Sequence, residues 1–293
     1  RNLGRAREFA HEFGAELAFD DPQALAADSS VDMVYIASPH HAHFEAAKLM
    51  LSAGKPVLCE KPLTVNATQA RELIELSQAN HVFLMEAMWT RCLPLYARIR
   101  QWLNDGRIGR PQLVSAAFCI QPARDPQNRF FNPDLAGGGL LDVGVYTVAM
   151  SQFVMGRKPA RIAAIARLAE TGVDELLSAS LHYPHGGLAQ IACGLSTAFD
   201  NALVIGGEKG CIRVPAEFMN GREAVLSADG NTEVFRVPPR GEGFEYEIEE
   251  AMRCVRAGAI ESPLMPHADT LANLETMDEI RRQIGLHYKN EFA

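Results

Sequence analysis

The sequence predicts an α/β chain in two parts: a doubly wound parallel sheet, then an α+β domain built on a large, mostly antiparallel sheet with one open face. Three observations carry that prediction. Short uninterrupted apolar runs such as Met33–Ala37 alternate with helix-length periodic segments up to about residue 90, as in parallel strands covered on both faces and joined by crossovers. Beyond Thr90 the apolar segments lengthen and follow one another without helices between them, the habit of antiparallel sheets. Finally, 293 residues at 47% hydrophobic suffice for two domains with cores of their own. The first part is therefore Rossmann-type. It is expected to span residues 1–90 and the second 91–293, with the C-terminal helices available to pack back on the first.

Each element has its own signal. Leu3, Ala6, Phe9, Ala10 and Phe13 recur at three- to four-residue spacing and stop at Gly14, predicting a helix over 3–13. Asp20-Asp21-Pro22 opens a small helix through Ala27. A strand over 33–37 breaks at Ser38-Pro39, and a helix runs from about His41 to Ala53, closed by Gly54. Pro56–Cys59, Ala67–Ala79 and Val82–Met85 then read strand, helix, strand, and Leu93–Asn104 is one more helix. Strands are expected over 112–121, 160–168, 176–183, 187–195, 202–205 and 211–214, interrupted by a helix from Gly139 to about Val154. Helices over 245–257 and 269–284 follow.

Composition excludes several classes. Lys plus Arg number 28 against 36 Asp plus Glu, so the chain lacks the basic footprint of a general nucleic-acid binder. No run reaches 18 uninterrupted apolar residues, which argues against a transmembrane helix. The six cysteines are scattered with no CxxC pair, and read as small core residues of a reducing, cytoplasmic setting.

Two constellations stand out chemically. In Gly54-Lys55-Pro56-Val57-Leu58-Cys59-Glu60-Lys61-Pro62 a buried strand ends in an ion-capable pair. Ligands of doubly wound sheets lie outside the carboxyl ends of the strands, so Glu60 and Lys61 would face the crevice; solvated charges at a strand end are the plain alternative. Pro62 fixes the backbone after Lys61, through a trans or a cis bond. In Gly137-Gly138-Gly139-Leu140-Leu141-Asp142-Val143-Gly144-Val145-Tyr146, three glycines permit close backbone approach at a helix start. Asp142 and Tyr146 share one helix face in apolar surroundings that oblige both to find partners. A structural cap with a core tyrosine would also satisfy that pattern.

These residues, with Tyr35–His43 and the helix after Glu261-Ser262-Pro263, closely resemble the glucose-fructose oxidoreductase/inositol dehydrogenase (Gfo/Idh/MocA) family over the whole chain. Phe83–Arg91 and Glu170–Asp174 are most similar to its dimeric dihydrodiol dehydrogenase/D-xylose dehydrogenase branch. The resemblance implies an NAD(P)-dependent oxidoreductase that moves a hydride between nicotinamide and a secondary alcohol or carbonyl of a sugar, polyol or trans-dihydrodiol. A non-catalytic cofactor- or sugar-binding regulator of the same fold is the alternative. It also implies that a strand, a GxGxxG phosphate loop, a helix and a second strand would precede Arg1. The parallel sheet is thus expected to be incomplete and the chain to be part of a longer reading frame.

Residue by residue, the resemblance makes Lys61 the catalytic lysine, with Asp142 and Tyr146 completing the acid–base group. Whether Lys61 or Tyr146 takes the proton first stays open. Arg1 and Arg5 match arginines that accommodate a 2′-phosphate, so NADP is expected and NAD is the alternative; ordinary solvated positions on the first helix would explain them too. Ser38, Pro39, His40, His43 and Glu60 are expected beside the cofactor with Lys61. Trp89, Phe130, Phe218 and Phe244 are expected to line the substrate pocket. His40, His41 and His43 diverge after a strand with no carboxylate or cysteine joining them, and the family uses no metal, so no metal site is expected. The strands over 160–214 carry apolar residues on both alternations, predicting a homodimer through the open sheet face.

Overall fold

The computed structural model describes residues 2–156, 158–238 and 240–288. The chain opens with α1 (Leu3–Phe13), capped by Asn2, whose side chain accepts from the Arg5 amide, and closed by Gly14 in the left-handed region. A shorter helix, α2 (Pro22–Ala27), starts on the Asp21 cap. Next come β1 (Val34–Ile36), α3 (His43–Ser52), β2 (Val57–Glu60), α4 (Ala67–Asn80) and β3 (Leu84–Ala87). The three strands pair in parallel in the order β1-β2-β3. Val57, Leu58, Cys59, Leu84 and Met85 are fully buried, which is why these strands read as continuous apolar runs rather than alternating ones. The third strand lies two residues later than the sequence places it, because Val82 and Phe83 bring the chain in from α4 and are equally apolar.

The second part begins with α5 (Pro94–Asn104) and β4 (Pro111–Cys119) and continues to α6 (Val145–Met155), reached through a π-helical turn at Leu140–Gly144. The strands β5 (Arg161–Leu168), β6 (Asp174–His182), β7 (Leu188–Gly194), β8 (Leu203–Gly207), β9 (Gly210–Val214), β10 (Glu223–Ala228) and β11 (Asn231–Arg236) follow, then α7 (Glu245–Arg256) and α8 (His267–Ile284). Eight strands form one sheet in the order β11-β10-β9-β8-β4-β7-β6-β5. Every pair in it is antiparallel except β4 with β7. The sequence reading missed β10 and β11. They form a short hairpin across Asp229-Gly230, and β11, at the sheet edge, carries charges and a polar strand start that blunt the apolar signal.

The helical run Pro133–Met155 is long and apolar enough by composition to cross a membrane, but 89% of its most apolar window is buried inside the protein. Counting only uninterrupted apolar residues passed over it, because Asp142, Thr147, Ser151 and Gln152 break the run. It is the core helix, packed on β4 and β7. The C-terminal segment does pack back on the first part. The Leu84 amide donates to the Ile260 carbonyl at 3.0 Å, and the Ala67 amide at the start of α4 donates to Asp278 on α8 at 2.8 Å.

The far face of the large sheet is open, with Ile165 76% exposed and Leu188 47%. It is less apolar than its sequence promised: Ser115, Ser178, Ser180 and Gln190 also stand exposed on it, interleaved with the aliphatics.

Candidate active site

A cleft of about 450 Å³ opens at the carboxyl ends of β1 and β2. Ala37, Ser38, Pro39, His40 and His43 line it from the turn after β1, Glu60 and Lys61 from the end of β2, and Arg129, Leu135, Tyr146 and Phe244 from the second part of the chain. The strands end there because Ser38-Pro39 and Pro62 stop their ladders, and the side chains at the break point outward into the crevice.

Lys61 is the hub. Its ammonium donates to the Asp142 carbonyl at 2.6 Å and to Asp142 Oδ1 at 3.2 Å, and lies 4.9 Å from the centre of the Tyr146 ring. Asp142 Oδ2 accepts from Arg129 Nη1 at 2.9 Å, so the carboxylate is shared between a buried lysine and a half-exposed arginine. Tyr146 Oη accepts from the Trp89 indole N–H at 2.8 Å. The peptide bond between Lys61 and Pro62 is cis. Below it, buried Glu86 accepts from the Leu63 amide at 3.1 Å and from Thr270 Oγ1 at 2.9 Å.

The electrostatics follow from burial set against these partners. Burial pulls the Lys61 ammonium down, but Tyr146, Asp142 and Glu60 outweigh it and leave its pKa raised. Burial would lift Asp142, yet Lys61 and Arg129 hold it below the usual carboxylate range. Burial lifts Tyr146, and although Lys61 and the Trp89 bond pull it down, the net direction is up. At neutral pH the trio is therefore an ammonium, a carboxylate and a neutral phenol. Burial also drives His40 down to about 3, with the neighbouring Lys61 charge adding to the effect; the ring is neutral, with Nδ1 3.1 Å from the Ala136 carbonyl. His43 is fully buried between the Pro62 carbonyl at 2.9 Å and the Ser38 carbonyl at 2.7 Å, tying the two strand-end turns together. His41 is exposed and belongs to neither contact.

The structure brings Ser38, Pro39, His40, His43, Glu60, Lys61, Asp142 and Tyr146 into one site, but it redistributes the aromatics. Phe244 lines the cleft and stacks on Trp89 at 4.7 Å, while Trp89 stands behind it, only 7% exposed. Phe218 is not a wall of the cleft. It is fully buried one ring further back, edge-on to Phe118 at 6.3 Å. Phe130 lies beneath the Arg129 guanidinium at 4.2 Å, also outside the lining. Arg5 is exposed on α1, apart from the lining of this cleft, and Arg1 lies outside the described residues. Besides Leu135 in the cleft lining, two residues of the site are not marked by the sequence. Arg129 sits in the irregular stretch between β4 and the π-helical turn, where no periodicity marks a residue. Phe118 packs edge-on to Tyr146 at 5.4 Å, and alternation in β4 points it there with Val114 and Ala116.

Known proteins share this architecture. The family model GFO_IDH_MocA, an oxidoreductase family with an NAD-binding Rossmann fold, matches residues 1–88. The GFO/IDH/MocA C-terminal domain matches residues 96–213. Trans-1,2-dihydrobenzene-1,2-diol dehydrogenase from Mus musculus is 35% identical over 300 residues, covering 99% of this chain and 89% of the relative; the Danio rerio protein of that name is 36% identical over 303, with the same coverage of each chain. Among solved structures, a 3-ketoreductase from Actinomadura kijaniata in complex with NADP and TDP-benzene superposes with a TM-score of 0.85 at 27% identity, covering 97% of this chain and 87% of that one. Aldose-aldose oxidoreductase from Caulobacter crescentus, at 20% identity, has the same fold, with a TM-score of 0.87 over 96% of this chain and 87% of that one.

Proposed function

This chain belongs to the Gfo/Idh/MocA oxidoreductase family, and from that premise we propose that it is an NADP-dependent dehydrogenase/reductase of a sugar, a polyol or a trans-dihydrodiol. The observation that carries the reading is the Lys61–Asp142–Tyr146 cluster at the mouth of a cleft on the strand ends. Oxidation of a secondary alcohol must deliver a proton to the protein, and reduction of a carbonyl must draw one from it. Nicotinamide, when bound, supplies the redox half of the reaction at its ring.

The cleft fits such a cofactor in one respect that can be read directly. Ser38 Oγ at the end of β1 is buried with no hydrogen-bond partner among the described residues, a polar group that a ligand at the strand ends would satisfy. Ser38, Pro39, His40, Glu60 and Lys61 would hold the cofactor, with His43 fixing the turns they stand on. Preference for NADP rests on Arg1 and Arg5, which match 2′-phosphate-binding arginines of relatives, and on the NADP bound by the Actinomadura ketoreductase.

Within the cluster, Tyr146 exchanges the proton with the substrate oxygen. Lys61 stabilises the charge that appears on Tyr146 and relays the proton onward. Asp142 holds the lysine in place and keeps it charged. The neutral phenol and ammonium suit proton donation to a carbonyl; in the oxidative direction Tyr146 must first lose its proton, so that direction gains with rising pH. Substrate specificity comes from Phe244, backed by Trp89, and from Arg129 at the rim. The open sheet face, with Ile165, Leu188 and Leu113 exposed, pairs two copies of the chain. The six free cysteines suit a reducing, cytoplasmic setting.

Thermal melts with NADPH and with NADH test the cofactor assignment, since only a ligand that binds the folded state raises the midpoint. NADPH is expected to raise it more, followed by turnover on a panel of xylose, glucose, anhydro-sugars and dihydrodiols. Equal stabilisation by both, or none by either, would sink the NADP assignment. Light scattering at micromolar concentration tests the dimer, and a clean monomer contradicts it.

A further inference from the structure

Asp174, the first residue of β6, is fully buried and touches neither the cleft nor any group with a role in proton transfer. Its carboxylate instead meets the start of the helical run that carries Asp142 and Tyr146. Oδ2 accepts from the Leu140 amide at 2.6 Å, and the carboxylate draws further on its own amide and on that of Gly139. The glycines before that helix have the shape this contact needs. A Cβ on Gly138, whose φ is +122°, would sit 2.3 Å from Asp174 Oδ1, so no other residue fits there. On Gly137 a Cβ would come within 2.8 Å of the Arg129 and Phe130 carbonyls, so that glycine admits the loop that delivers Arg129 to Asp142.

We propose that Asp174 is a positioning residue: its carboxylate clamps the first turn of the helix and thereby sets where Asp142 and Tyr146 stand relative to Lys61. The inference rests on the reading of those three residues as the proton-handling set. The physical reasons are three. An anion at a helix N-terminus is stabilised by the exposed amides and by the helix dipole. The turn it clamps is π-helical, a rare register that occurs mostly as single turns at functional sites. And Asp142 and Tyr146 lie only two and six residues beyond the clamped Leu140 amide, so any slip there moves both. The cost is desolvation of a fully buried carboxyl, which lifts its pKa to about 7 against the opposing pull of the backbone amides and of the Arg281 charge. Its Oδ1 has no hydrogen-bond partner among the described residues; the group is held by the two amides of the helix start, by its own amide and by the charge of Arg281.

The test compares Asp174→Asn, which keeps shape and an acceptor, with Asp174→Ala, which keeps neither. Two readouts separate positioning from mere folding: kcat against KM per folded molecule, and tryptophan emission in the ligand-free protein. Trp89 donates its N–H to Tyr146, so displacement of the helix changes its emission, whereas Trp102, the other tryptophan, is fully buried on α5 and gives a constant background. The expected result for Asp174→Ala is shifted emission and a kcat lowered about 100-fold at nearly unchanged KM, as for an ångström-scale misplacement of reacting groups. Asp174→Asn should recover about tenfold of that loss. If both variants keep wild-type emission and kcat, or if Asp174→Asn loses activity only in proportion to its unfolded fraction, the proposal is overturned and Asp174 serves the fold alone. Should Asp174→Ala not fold, Asp174→Asn decides by the same criteria. Shifted emission in a chain whose wild type turns over no substrate would count against the proposed reaction and leave the clamp standing.

Discussion

The two sides of the cleft are built in opposite ways. On the β1–β2 side, each chemical group sits within a few residues of a buried strand. Ser38 follows β1, and Lys61 follows β2 directly. Their positions are inherited from the parallel sheet, whose strand ends are held by Val57, Leu58 and Cys59 at zero exposure. On the other side nothing is inherited from a strand end. Asp142 and Tyr146 ride a helix whose first turn is fixed by Asp174, 34 residues beyond Leu140 in sequence, and Arg129 arrives on an irregular loop. One side is positioned by local continuity of the chain and the other by long-range contacts, and the two meet where Lys61 reaches across to Asp142, the place the proposed mechanism gives to the proton. Changes at Lys61 or Tyr146 should therefore remove a reacting group outright, whereas changes to the long-range contacts of the second side should misplace groups that are still present.

The largest effect is expected at the reach itself. Lys61→Met should lower kcat by about 10³-fold while NADPH still raises the melting midpoint, because Ser38, Pro39, His40 and Glu60 remain to hold the cofactor and only the proton-handling ammonium is lost. Near-wild-type turnover would remove it from the reaction. Tyr146→Phe deletes only a hydroxyl, and should cost about 10²-fold in kcat with little change in melting temperature. A loss of stability without loss of rate would make Tyr146 a core residue. Because burial raises the Tyr146 phenol above its ordinary pKa, wild-type oxidation should climb with rising pH, and Tyr146→Phe should flatten the climb. Arg129 is about half exposed, where an ion pair is worth little. Arg129→Ala should therefore lower kcat only about two- to fivefold; a hundredfold loss would mean that the Arg129–Asp142 pair fixes the cluster as firmly as Asp174 does.

The smallest expected effect lies beside the site and leaves turnover alone. Glu247 on α7 is 1% exposed, and burial, with Glu60 adding to it, pushes its carboxyl up to about 9. Between 4.5, its ordinary value, and 9 the folded chain keeps a proton that the unfolded chain has lost, so stability drains away as pH rises through that window. Glu247→Gln removes the titration. Its melting temperature should match wild type below pH 4.5 and exceed it by a few degrees near pH 9. A uniform offset at both pH values would contradict the burial argument.

The same contrast explains what could be read from the residues. The parallel strands, the glycine run, Lys61 and the Asp142–Tyr146 pair were legible because buried strands, helix periodicity and strand-end chemistry are local signals. Arg129 was not, because the path that delivers it has no period, and its partner lies 13 residues away across a turn. The aromatics occupy different layers than their sequence positions suggest, with Phe244 in the cleft wall and Phe218 buried behind it. Phe218 and Phe118 are alike in composition terms, and only the packing of β4 against α6 decides which ring meets Tyr146. The π-helical turn escaped because a helix-period pattern is blind to one extra residue in its first turn. β10 and β11 escaped because an edge hairpin uses charge where a central strand uses apolar bulk.

The central claim is that Lys61 and Asp142, one from each side, act as a single unit. A double-mutant cycle on kcat/KM measures this directly, using Lys61→Met, Asp142→Asn and the pair together. Residues that act as a unit are strongly non-additive. The double variant should then be no slower than the worse single one, with a coupling close to the smaller of the two single losses. If instead the two losses simply multiply, the groups work independently, and the contact across the cleft is structural rather than catalytic.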